Sequence, residues 1–261
     1  MADDLFSVEN QVVLVSGASR GIGRAIGEGF ARRGASVVIT GRQPDTVERT
    51  AGEICPPGGT VRAKVCDVAD AQAGQRLVDE VVDEFGRIDT LVNCAGVNKR
   101  MKVGQYTEEV YDFITNINIR GAFFLALAVG RQMINAGRGC QINIDSVNTH
   151  RPLNRVAVYA MSKSSVSQMT RCLAMEWGPH GVRVNAVAPG FTLTELTRNL
   201  WKDEKMDQWR QQNTPLRRIG QPNDMVGACI FLASEASSYV TGQVLYVDGG
   251  TSCGLFWPID V

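Results

Sequence analysis

Short runs of β-branched residues alternate with longer stretches of helical periodicity along nearly all of this 261-residue chain. Residues 12–15 (VVLV) read as a buried strand, and residues 21–33 as a helix stopping at Gly34, a residue that favours helix ends. Further strands are expected at 36–40 (SVVIT), 61–65, 88–93, 141–144, 182–187 and 243–247, with helical segments between them, one of them over about 70–85. Strands that recur after helical crossovers pair in parallel, so the pattern predicts an α/β fold. The expectation is a doubly wound parallel sheet of about seven strands with helices on both faces. No repeat, linker or low-complexity tract interrupts the alternation, so residues 1–261 read as a single domain.

Composition narrows the class. Apolar residues make up 44% of the chain, enough to cover a sheet on both faces. Lys plus Arg and Asp plus Glu each number 27, so no net charge draws the chain to nucleic acid or to an acidic membrane. Seven cysteines, scattered from Cys55 to Cys253 without a CxxC pair, argue against a disulfide framework and against a zinc site. The start, MADDLFSVENQ, has neither the basic region nor the apolar core of a signal peptide. No apolar run approaches the ~20 residues of a membrane helix. These features together suit a cytoplasmic protein acting on small molecules.

The first strand runs into Ser16-Gly17-Ala18-Ser19-Arg20-Gly21-Ile22-Gly23, which opens a helix. Glycines let a backbone turn tightly and approach a diphosphate, whose charge sits at the positive end of the helix. The spacing G-x-x-x-G-x-G is one residue longer at the front than the usual dinucleotide fingerprint. Sites for NAD place a carboxylate at the end of the second strand, against the ribose hydroxyls. Here that strand ends in Thr40-Gly41-Arg42, while Asp45 and Glu48 lie beyond Pro44. Arg20 and Arg42 together suit charge-assisted contacts to a 2′-phosphate, which favours NADP(H) and leaves NAD(H) as the alternative.

Tyr159-Ala160-Met161-Ser162-Lys163 opens another helical stretch, and an i, i+4 pair shares one helix face. A free phenol is a poor proton carrier at neutral pH. One positive charge at ~4 Å, at an effective dielectric near 20, favours the phenolate by about 4 kcal/mol. Ser146 follows the strand at 141–144, at the carboxyl end where parallel sheets bind ligands, and its hydroxyl can hold a carbonyl oxygen as it becomes an alkoxide.

Over nearly the whole chain these residues resemble the short-chain dehydrogenase/reductase family, which implies a single Rossmann-type domain. The glycine loop is similar to the family's cofactor motif, and Asp67-Val68 to its adenine-contacting pair. Asn93-Cys94-Ala95-Gly96 resembles N-N-A-G, with Cys94 in place of the second asparagine. Asn118, Ser146, Tyr159 and Lys163 match the catalytic tetrad, and Pro189-Gly190 with Thr192 and Thr194 the segment at the nicotinamide end. The resemblance implies hydride transfer between nicotinamide and a carbonyl carbon, with Tyr159 as proton donor and acceptor. Ser146 would orient the oxygen, Lys163 would favour the phenolate and bind the ribose, and Asn118 would hold a relay water. Ser16 replaces the usual threonine. Asp145, where a small or hydroxyl residue is commoner, is expected to point away from Ser146.

By the same resemblance, substrate contacts come from Asn98, Lys99 and Arg100, from Asn148, His150 and Arg151, and from a lid at about 190–213. The first two groups are polar and suit hydroxyls or a carboxylate. The apolar residues Leu193, Leu196, Leu200, Trp201 and Trp209 predict one or two amphipathic lid helices. The stretch Ala174-Met175-Glu176-Trp177 and the region around Asn98 are most similar to the sugar-acid and polyol branch, of the gluconate 5-dehydrogenase kind. Reduction of 3-oxoacyl-carrier-protein or of cyclic ketones is the alternative activity, and a non-catalytic NADP-binding regulator the alternative class. The family also implies a homotetramer built on two long helices, over about 105–135 and 155–177, and on the last strand. The apolar tail Leu255-Phe256-Trp257-Pro258-Ile259 is expected to pack on a neighbouring subunit.

Overall fold

The computed structural model describes residues 4–254, so the expectation for the tail lies outside the described residues. Strand β1 (Val12–Ser16) leads to α1 (Gly21–Ala31), β2 (Ser36–Gly41) to α2 (Pro44–Ile54), and β3 (Thr60–Val65) to α3 (Ala71–Phe85). After β4 (Thr90–Asn93) come α4 (Glu108–Thr115), a π-helical turn at Asn116–Gly121 and α5 (Ala122–Ala136). β5 (Gly139–Ile144) precedes α6 (Ala157–Trp177), and β6 (Val182–Pro189) precedes the short α7 (Glu204–Asn213). α8 (Val226–Ala233) leads into β7 (Val244–Val247).

The seven strands form one parallel sheet in the order β3-β2-β1-β4-β5-β6-β7. Chain direction across the sheet reverses between β1 and β4, where such folds open a ligand crevice. Strand alternation splits the core in two. Val13 and Val15 face Ile26, Phe30 and Cys229 of α1 and α8, whereas Val12 and Leu14 face the side of Leu77, Leu125 and Trp177. Burial on both faces is why these strands read as unbroken apolar runs.

Several boundaries shift for local reasons. The strand expected at 88–93 starts at Thr90, because the Asp89 carboxylate is taken up by the Val12 N–H at 2.8 Å and by Arg87. The first helix ends at Ala31, and the chain turns through Gly34 at φ +81°. The long stretch after β4 begins as a helix only at Glu108, where the Thr107 hydroxyl accepts the Val110 N–H. The lid holds one α-helix and a single 3-10 turn at Leu200–Lys202. Contrary to the sequence reading, the continuous helix Glu108–Ala136 is long and apolar enough, by length and composition, to cross a membrane. More than half of its apolar window is buried in the fold, where Leu125, Val129 and Met133 pack beside the sheet.

Candidate active site

The crevice at the carboxyl ends of β1 and β4 is shaped by the glycine loop. Gly17 and Gly21 adopt φ of +64° and +58°, and a Cβ on Gly17 would lie 2.6 Å from the Ala95 Cα. A Cβ on Gly23 would lie 2.7 Å from the Gly17 carbonyl, so the loop is wound too tightly for side chains there. The Ala18 N–H donates to Thr40 O at 2.8 Å, and the Thr50 hydroxyl to Ser19 O at 2.9 Å, which hold the loop over β2. The Ser16 hydroxyl donates to Asn93 Oδ1 and accepts the N–H groups of Cys94 and Ala95, so it joins the glycine loop to the segment after β4. This is the work that a hydroxyl does at position 16. No side chain caps the start of α1, and Ile22 is only partly buried. The uncapped helix end beside the glycine cradle fits an anionic diphosphate.

Arg42 is exposed and makes no ion pair among the described residues. Arg20 is also exposed, but Nη1 lies 3.2 Å from Glu195 Oε2 in the lid segment. Asp45 sits in the first turn of α2 and is exposed. Asp67 is exposed and accepts the Ala69 N–H, while Val68 is buried against Gly121. The Asn93 amide donates to Ala122 O at 2.7 Å, tying β4 to α5. Cys94 is tied to the glycine loop through its backbone N–H, which donates to Ser16 Oγ at 3.0 Å. Burial pushes its thiol up to about 11, opposed by the charge of Lys163.

Gly96 is the centre of the second cluster. A Cβ placed there would lie 3.5 Å from Asn118 Oδ1 and 3.6 Å from Lys163 Nζ. Asn118 is buried in the π-helical turn, where its Oδ1 accepts the Val97 N–H at 2.8 Å. Its amide donates to Val97 O and to Ser162 Oγ, both at 2.9 Å. Ser162 in turn donates to Tyr159 O at 2.7 Å. Sequence reading missed Ser162, although a hydroxyl beside Lys163 on the same helical turn marks it. Tyr159 is the third residue of α6, and Lys163 follows one turn later. The buried ammonium of Lys163 donates to Ile144 O at 2.6 Å and stands 5.9 Å from the centroid of the Tyr159 ring. Ser146 caps the 3-10 turn Val147–Thr149, and its hydroxyl accepts Asn148 N–H and Nδ2 at 3.2 Å each.

Asp145, next to Ser146, is buried at 2% exposure. Its Oδ1 accepts the Thr149 hydroxyl at 2.6 Å. Burial pushes its carboxyl up to about 6, against the opposing pull of that hydrogen bond and of Lys163.

The expected substrate residues separate into two kinds. Asn98 is half-buried, with an Oδ1 that has no partner, and Asn148 braces Ser146 and the Leu153 N–H. His150 is exposed and stands edge-on to Tyr246, with centroids 6.0 Å apart. Lys99 extends over the Phe113 ring of α4, 5.9 Å from its centroid, and Arg100 is exposed. Arg151 holds the carbonyls of Thr251 and Gly254, a structural role. Beyond Pro189, the Gly190 N–H donates to Val247 O, and Thr192 is buried beside it. Thr194 approaches Gly21, at 3.7 Å from a Cβ built there. Phe191 packs edge-on against Trp201 and Trp209 at 5.5 and 5.3 Å, so the lid tryptophans serve packing within the lid. A cavity of about 460 Å³ lies at the root of the lid, lined by Phe191, Thr192, Leu216 and Tyr246.

The family model described as "Enoyl-(Acyl carrier protein) reductase" matches residues 17–252. The chain is 39% identical over 252 residues to the gluconate 5-dehydrogenase of Gluconobacter oxydans, covering 97% of this chain and 98% of that one. It is 34% identical to the NAD-dependent glycerol dehydrogenase of Listeria innocua, with 95% and 96% covered. It superposes with a TM-score of 0.94 and 35% identity on a gluconate 5-dehydrogenase from Burkholderia cenocepacia in complex with NADP and tartrate, with 98% and 100% covered. The chain belongs to the short-chain dehydrogenase/reductase family and is an oxidoreductase acting on CH–OH groups. By their names, the Gluconobacter and Listeria relatives act on a sugar acid and a polyol.

Proposed function

We propose that the protein is an NADP(H)-dependent enzyme interconverting a carbonyl and a secondary alcohol on a polar substrate of the sugar-acid, polyol or ketose class. The observation that carries this reading is the gathering of Asn118 and Lys163 around Gly96, with Tyr159 one turn before the lysine and Ser146 at the end of β5. Gly17, Ser19, Arg20, Gly21, Ile22 and Gly23 would hold the diphosphate, and Arg42 with Arg20 the 2′-phosphate. Asp67 and Val68 would flank the adenine, and Asn93, Ala95 and Gly96 the adjoining ribose. Tyr159, Lys163, Pro189, Gly190, Thr192 and Thr194 would hold the nicotinamide end. When bound, that cofactor supplies or accepts the hydride at the substrate carbon.

The residues of the chain manage the proton and the oxygen. Ser146 donates a hydrogen bond to the substrate oxygen and holds it as negative charge develops. Tyr159 gives its proton to that oxygen in reduction and takes one in oxidation. Lys163, anchored on Ile144 O, presents a buried ammonium 5.9 Å from the centroid of the Tyr159 ring. Asn118 fixes Val97 and, through Ser162, the first turn of α6, and by the family resemblance it would hold the relay water. Asn98, Asn148 and His150, with Lys99 at the rim, would meet the hydroxyls or carboxylate of the substrate. The Burkholderia relative with NADP supports the cofactor reading, while the NAD-dependent Listeria relative and the engagement of Arg20 by Glu195 keep NAD(H) as the competing arm. Seven free thiols suit a reducing cytoplasm.

The test is cofactor oxidation against keto-sugar acids, ketoses, 3-oxoacyl thioesters and cyclic ketones, with NADPH and NADH side by side. Turnover confined to the first two classes, faster with NADPH and lost in Tyr159→Phe by at least about 100-fold, is expected. Turnover only with thioesters or cyclic ketones overturns the substrate class, and a preference for NADH overturns the cofactor. An unchanged Tyr159→Phe rate overturns the proton-transfer role of Tyr159, and cofactor binding without turnover of any class leaves the regulator.

A further inference from the structure

The turn after Ser146 is closed twice. Backbone N–H groups of Thr149, His150 and Arg151 return to Ser146 O, Val147 O and Val147 O at 3.0, 3.2 and 2.8 Å. Independently, the Thr149 hydroxyl reaches back to the buried Asp145 carboxylate at 2.6 Å. This second closure holds the segment that carries Asn148, bonded to the Ser146 hydroxyl, and His150, edge-on to Tyr246. The other carboxylate oxygen, Oδ2, is buried without a partner, and a buried polar atom left so calls for an explanation.

We propose that Asp145 is a positioning residue for the substrate: through the Thr149 hydroxyl, and only as a carboxylate, it fixes the turn 147–151 and the placing of Asn148 and His150 relative to Ser146. The groups around Asp145 are Lys163 and Arg171 from α6, Tyr246 from β7, the Thr149 hydroxyl and the Ser146 N–H. The cations, the hydroxyl and the N–H favour the charged form, but burial outweighs them and brings the titration to about 6. A hydrogen bond to a carboxylate is roughly twice as strong as one to its neutral acid, so the clasp slackens as pH falls through that value. The effect on substrate rests on the reading given above; the clasp itself does not.

Two readouts separate these levels. The first is hydrogen exchange at the amides of residues 149–151, corrected for the intrinsic rate, between pH 5 and 8. The second is the KM of whichever substrate is turned over, beside kcat and cofactor affinity. Thr149→Val is expected to exchange about tenfold faster at these amides at neutral pH and to raise KM by a similar factor, with kcat and cofactor affinity unchanged and Thr149→Ser restoring both readouts. Wild type is expected to lose protection and gain KM below pH 6. Asp145→Asn, which keeps a neutral acceptor for Thr149, is expected to hold the wild-type pH 5 values at every pH. Exchange in Thr149→Val equal to wild type, or acid loosening that persists in Asp145→Asn, overturns the clasp. Faster exchange with an unmoved KM overturns the role in substrate binding. If no substrate is turned over, the proposed function fails and exchange alone still decides the clasp.

Discussion

Asp145 opposes the fold at neutral pH. Its carboxyl titrates near 6 in the folded chain against an ordinary 3.8, so the native state binds this proton more tightly than the unfolded state does. Its favourable contribution is complete below pH 3.8 and is lost as pH rises through 6. At pH 7.5, Asp145→Asn should therefore raise stability by up to about 3 kcal/mol, a gain that shrinks to nothing near pH 4. Urea melts at the two pH values check this, and equal shifts at both would remove the electrostatic account. At this scale the sequence was readable where a residue type is rare in its setting. Ser146, Tyr159 and Lys163 stand out in their spacing, and the structure gathers them at one end of the sheet. Ser162 and Thr149 did not stand out, because a serine or threonine in a turn ordinarily satisfies only its local backbone. Their partners, Asn118 and a buried Asp145, become neighbours only through the fold.

Among the elements, the π-helical turn Asn116–Gly121 sets the site most directly. It carries Asn118 inward and passes so close to β3's exit that a Cβ on Gly121 would lie 2.6 Å from the Val68 carbonyl. Backbone cannot give way as a side chain can, so Gly121→Ala should cost about 1–3 kcal/mol. A fall in melting temperature of roughly 2–4 °C per kcal/mol is the readout, and an unchanged value would show that the turn relaxes freely. Sequence periodicity did not resolve this turn, since a single extra residue per turn leaves an apolar helix apolar. The sheet was legible because strands buried on both faces are continuous runs of Val, Ile and Leu. The lid was legible in part: its apolar spacing marked the helix Glu204–Asn213, while Leu200–Lys202 makes only a 3-10 turn and Trp201 and Trp209 pack on Phe191.

Over the whole molecule, the two edges of the sheet differ. β3 bears Arg62 and Lys64, paired to Glu80 and Glu84 of α3, and charge on an edge strand discourages further pairing. β7, at the other edge, reads VLYV and has no charge. Tyr111, Phe113, Phe123 and Phe124 on α4 and α5, and Met161 and Met175 on α6, are exposed. These surfaces lie on the elements where the sequence resemblance leads us to expect subunit contacts, and apolar area of this kind favours burial between subunits. Light scattering is expected to return four chains per particle, and a monomer would refute the tetramer.

The strand order also governs how the molecule is made. β1 pairs with β2 and then waits for β4, which lies 77 residues further along at the Ser16–Asn93 contact. Every pairing in the sheet crosses a helix, so no hairpin forms early, and closure of long loops must precede each gain in contact. The half built from β1, β2 and β3 can take shape on the ribosome with one side of β1 uncovered. The crevice has no second wall until β4 arrives, and no floor until β5 and β6 follow. A nascent chain of this kind therefore spends much of its synthesis with a bare apolar strand, a natural client for chaperones until the second half docks.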